Sequence, residues 1–112
     1  MSDGGAGNCR RSSCARPVPP TLAAEQLCLD HFIEEAFLRT DQALERCRQG
    51  NPVDPKGLEW LLSDALAIVK NLEEGAEALS PEQRDRMLEL LLILANLHEY
   101  VAHHSVSLER LA

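Results

Sequence analysis

Cys9, Cys14, Cys28 and His31 stand in the pattern Cys-x4-Cys-x13-Cys-x2-His. Thiolate sulfur and imidazole nitrogen are donors that zinc favours. A structural zinc site closes a tetrahedron with four of them, often as two short clips. Here one clip is a loop, Cys9 to Cys14. The other, Cys28 to His31, reads as the first turn of a helix, where residues three apart share a face and can grip one ion. The spacing predicts one structural zinc ion on these four side chains. An iron–sulfur cluster or a redox switch would use the same donors, and incidental thiols beside a surface histidine are the plain alternative. Free cysteine is normally buried, so three thiols in polar surroundings favour the ligand role. Cys47 falls on an apolar helical stripe and reads as a packed side chain, not a fifth ligand.

The elements that must hold these residues are helical. The chain has 112 residues, the length of one domain. Aromatic residues make up only 4%, so leucine and alanine must build the core, a composition that favours helices over strands. Residues 1–8 are expected to be disordered and residues 9–23 to form an irregular arm stiffened by Pro17, Pro19 and Pro20. The first helix is predicted from about Ala24 to Gln49, with Leu29, Phe32, Ile33, Ala36, Phe37, Thr40, Ala43, Leu44 and Cys47 repeating at helical spacing. Gly50 and Pro52 stop it. The second begins at Asp54-Pro55, an N-cap followed by an N1 proline, carries a leucine stripe, and fades near Gly75. The third begins at Ser80-Pro81-Glu82-Gln83, a capping box, and runs to about His104, the tail continuing it or fraying. Short connections between long amphipathic helices predict an all-α, up-down-up three-helix bundle over residues 24–112. The zinc-binding arm, residues 9–31, lies beside the first helix.

The segment Cys9-Arg10-Arg11-Ser12-Ser13-Cys14-Ala15-Arg16-Pro17, followed by Leu27-Cys28-Leu29-Asp30-His31, resembles the short zinc knuckles of bacterial and phage proteins. In these a Cys-x4-Cys runs into Arg-Pro, and a Cys-x2-His opens a helix in the treble-clef manner. The gap between the clips is longer here, and no glycine precedes the third ligand. The resemblance implies metal binding. Such knuckles occur on nucleases, regulators and unassigned proteins alike, so it implies no reaction. The helical body carries no such resemblance.

Charge is unevenly spread. Residues 1–20 hold three arginines and one aspartate, and the rest hold eight basic against seventeen acidic residues. An acidic body repels phosphate backbones, so nucleic-acid contact would fall to Arg10, Arg11 and Arg16 in the zinc loop. The first twenty residues carry no apolar signal segment and no apolar run is long enough to span a membrane, so a cytoplasmic protein with reduced cysteines is expected.

His98 and His103 flank Glu99 but lie five apart, not the four that two ligands on one helix face require. His98 falls on the third helix's apolar stripe with Leu90, Leu91, Leu94 and Val101 and is expected to be a hydrogen-bonded core residue, a small-molecule or metal role being the alternative; Glu99 and His103 suggest a surface ion pair. Trp60 falls off the second helix's core stripe, either as an interaction anchor or as a cover for the proline arm. The third helix is apolar on more than one face, with Leu88, Leu92, Ile93 and Tyr100 beyond its main stripe. That surplus predicts an interface, most simply a homodimer. No phosphate loop, nucleophile triad or distinct carboxylate pair is present, so an enzyme is not expected. The leading reading is a zinc-stabilised protein–protein interaction or regulatory module. Its alternatives are a nucleic-acid-associated regulator and a redox or metal sensor.

Overall fold

Helix-stop and helix-start residues divide the chain into three long helical segments. The computed structural model describes residues 8–11 and 13–109 and has no strand among them. Of the expected disorder in residues 1–8, all but Asn8 lies outside the described residues. α1 is Leu29–Gln49. It ends where Gly50 takes φ +73° and its N–H bonds back to the carbonyls of Arg46 and Cys47. Glycine enters that left-handed region without steric cost. α2 covers residues 55–73 and opens with Pro55, the Asp54 side chain accepting from the Gly57 N–H at 3.0 Å. α3 is Pro81–His103, and the Ser80–Gln83 capping box closes in both directions.

Two boundaries differ from the sequence reading. α1 begins at Leu29, not near Ala24, because Gln26 sits at φ +57° and a left-handed residue cannot continue a right-handed helix. Ahead of it lies only a short 3-10 turn, Pro20–Leu22. Residues 104–109 leave the helix and are ordered against the body. His104 is extended, and the chain returns beside the start of α2, with the Val53 N–H bonding Ser107 O at 2.9 Å and the Glu109 N–H bonding Val53 O at 2.9 Å.

Two hydrogen bonds register α1 on α3. Gln83 Nε2 donates to Asp30 at 3.0 Å near the start of both helices, and the Tyr100 hydroxyl donates to Cys47 O at 3.2 Å near the end of both. Each spans 53 residues of sequence. The start of α2 meets the tail after α3, and just past the end of α2 Glu77 accepts from the Thr21 hydroxyl at 2.9 Å.

The core joins all three helices to the arm. Phe32, Ile33 and Ala36 of α1 pack with Leu61, Ala65, Val69 and Leu72 of α2 and with Met87, Leu90, Leu94 and Leu97 of α3. Val18, Leu22 and Leu27 of the arm belong to the same cluster. Thr40 is buried on this face because its hydroxyl donates to Ala36 O at 2.6 Å, which satisfies it locally. Cys47 packs there as expected, and burial pushes its thiol pKa up.

The phase of α3 corrects another expectation. Met87, Leu90, Leu94 and Leu97 are buried in a 3-4-3 series, while His98 is exposed. One residue past Leu97, His98 is turned about 100° away from the core. Ile93 and Tyr100 are half-buried, whereas Leu88 and Leu92 face solvent. In α2 the winding widens to a π turn over Trp60–Ala65. Leu58, Leu61, Ala65, Val69 and Leu72 are buried before, within and after it, so the apolar stripe of α2 continues through the turn.

Candidate metal centre

The loop clip is shaped by its backbone. The Cys9 N–H bonds Arg16 O at 3.0 Å and the Cys14 N–H bonds Arg11 O at 3.2 Å. Ser13, just before Cys14, sits at φ +65°. Asn8 bridges to Pro17, closing the base of the loop. The Arg10 N–H then reaches Gln26 O at 2.8 Å and ties the loop to the turn ahead of α1. The left-handed Gln26 ends that turn, after which Leu27 enters the core and Cys28 becomes the N-cap of α1. Cys28 therefore lies just outside the helix, while His31 is in its first turn.

These elements bring all four expected ligands together. Their donor atoms lie within 4.8 Å of one another. His31 Nδ1 is 3.3 Å from Cys9 Sγ and 3.4 Å from Cys28 Sγ, and Cys14 Sγ is 4.0 Å from Cys28 Sγ. Zinc bond lengths of about 2.3 Å to sulfur and about 2.0–2.1 Å to nitrogen set tetrahedral edges of roughly 3.8 Å for S···S and roughly 3.6 Å for S···N. The three separations lie within a few tenths of an ångström of those edges. A disulfide would hold two sulfurs at about 2.05 Å, and all four cysteines are free. The cluster can hold a metal ion.

Two of its thiols are pushed in opposite directions. Burial works against a charged Cys9, but hydrogen bonds from the backbone of Cys28 and Arg11, with contacts from His31 and Cys14, outweigh it and pull the thiol from 9.0 to about 6. Cys28 moves the other way. Its burial raises it, the His31 backbone offsets part of that, and the neighbouring Cys9 and Cys14 raise it further. The backbone accommodates one thiolate, whereas several crowded thiolates require positive charge among them. Cys28 is 2% exposed and belongs to the core cluster.

The loop arginines are turned onto carboxylates of α1. Arg10 donates to Glu25 O at 3.2 Å and pairs with Glu35 at 3.3 Å. Arg11 pairs with Glu34 at 3.5 Å and Glu35 at 3.7 Å, and Arg16 pairs with Asp30. Glu35 also accepts from Arg39 at 2.8 Å. Trp60 is half-buried, its ring edge-on to Phe32 with centroids 6.3 Å apart. Its indole N–H donates to Glu25 at 3.1 Å, and the Arg39 guanidinium lies 5.0 Å over its ring. Sequence reasoning missed Glu25, Asp30 and Glu35 as the anchors of this network. Only the acidic face of α1 beside the ligand His31 hinted at them.

No helix among the described residues is long and apolar enough to cross a membrane. Comparison of the chain with protein-family models, curated proteins and solved structures finds no match.

Proposed function

We propose that the chain is a non-enzymatic, zinc-stabilised helical module for protein–protein contact, built as an up-down-up three-helix bundle with the arm clasped to its first helix. The observation that carries this reading is the approach of Cys9, Cys14, Cys28 and His31 to within 4.8 Å. Three thiols and one imidazole suit zinc in a structural site. Four protein ligands leave no open position for water or substrate, which argues against metal catalysis. The ion then acts as a clasp, joining a proline-stiffened arm to α1. The helical body offers the acidic and apolar surface that a protein partner would meet.

The nucleic-acid reading has weaker support, since Arg10, Arg11 and Arg16 would have to leave their carboxylate partners to reach phosphates. A redox or metal sensor would need the clasp to open under oxidant or metal exchange.

Elemental analysis of protein purified without chelator under reducing conditions tests the clasp. One zinc per chain is expected, lost in Cys14→Ser; metal-free protein overturns the reading. Salt-dependent binding to DNA or RNA would favour the regulator instead.

A further inference from the structure

The outward face of α3 remains unpartnered after the core and the arm are accounted for. Leu92 is 66% exposed and Leu88 44% exposed. With about 100° between successive residues, Arg84, Leu88, Leu91, Leu92, Ala95 and Glu99 share one stripe. Leu91 is half-buried, and the other members are exposed. The stripe is apolar in the middle, basic at its N-terminal end and acidic at its C-terminal end. Arg84 has no ion-pair partner among the described residues, and Glu99 meets only His103 at 3.9 Å.

Such a stripe is complementary to its own reverse. A two-fold axis between Leu91 and Leu92 sets Leu88 against the partner's Ala95, Leu91 against the partner's Leu92 and Arg84 against the partner's Glu99. Large side chains then face small or offset ones, and each charge meets its opposite at both ends. A parallel arrangement in register would set Arg84 against Arg84 and Glu99 against Glu99. We infer that the chain forms a homodimer in which two copies of α3 pack antiparallel through this stripe. The inference rests on the interaction-module reading and names the partner as a second copy. Two-fold closure satisfies the patch on both chains and leaves no repeated end to propagate.

Sedimentation and charge exchange test it on the full chain. The wild type is expected to dimerise at micromolar concentration and Leu92→Glu to be monomeric. Arg84→Glu alone and Glu99→Arg alone should each weaken the dimer by about tenfold, because two attractive pairs become repulsive. The two changes together should return affinity to within about twofold of wild type. All are surface substitutions, and unchanged far-UV circular dichroism verifies the fold. A monomeric wild type at high concentration overturns the proposal and leaves this face to another protein. Failure of the paired exchange to restore affinity overturns the antiparallel register. Zinc content is measured in the same samples, so loss of the dimer with metal intact is distinguishable from failure of the clasp.

Discussion

Chelation of the metal is expected to free the arm while the three helices persist. Val18, Leu22 and Leu27 anchor the arm and are 3%, 0% and 1% exposed. Burying three aliphatic side chains contributes roughly 5–9 kcal/mol. Ordering the twenty residues from Cys9 to Cys28 costs about 1 kcal/mol each in backbone entropy, about 20 kcal/mol in all. Burial alone falls short by roughly 10 kcal/mol or more. A structural zinc ion supplies roughly 10–16 kcal/mol, of the size of that shortfall. The arm contains one three-residue turn, whereas α1 alone holds 21 residues and α3 holds 23. The far-UV helical signal should therefore change little. Trypsin should cut after Arg10 and Arg11 only after chelation, Pro17 blocking the bond after Arg16, with Arg39 in α1 still protected. Fluorescence gives a second readout: Trp60 is the sole tryptophan and is hydrogen-bonded to Glu25 of the arm, so its emission should shift red. Collapse of the whole helical signal on chelation would refute this reasoning and make the ion the nucleus of the fold. Equal protection of the arm arginines with and without metal would refute it from the other side.

Glu35→Gln keeps the shape of a carboxylate that meets Arg10, Arg11 and Arg39 but removes its charge. The guanidiniums are solvent-screened, so a loss of about 1 kcal/mol is expected, a Tm fall of roughly 4–8 °C that narrows in high salt. Leu97→Ala should cost about 2–5 kcal/mol and His98→Ala no more than about 0.5 kcal/mol in denaturant unfolding; the reverse order would show that the phase of α3 is wrong.

What the sequence by itself determined is local. The cluster that could hold a metal was legible because few side chain types bind zinc and because Cys-x4-Cys and Cys-x2-His already form two short clips. Helix ends were legible at Gly50, Asp54-Pro55 and Ser80–Gln83 because a cap is decided by the residues that make it. Tertiary structure decided whatever depends on phase or on partners far along the chain. α1 starts late because Gln26 is left-handed, a conformation its residue type does not announce. His98 and Leu97 are sequence neighbours, and only packing against α1 and α2 selected the leucine for the core. The loop arginines read as free cations until folding set them against carboxylates up to 25 residues away. Chemistry at a donor atom can be read one residue at a time. The rotation of a helix and the partner of a charge follow from distant parts of the chain meeting, and short-range patterns do not encode that.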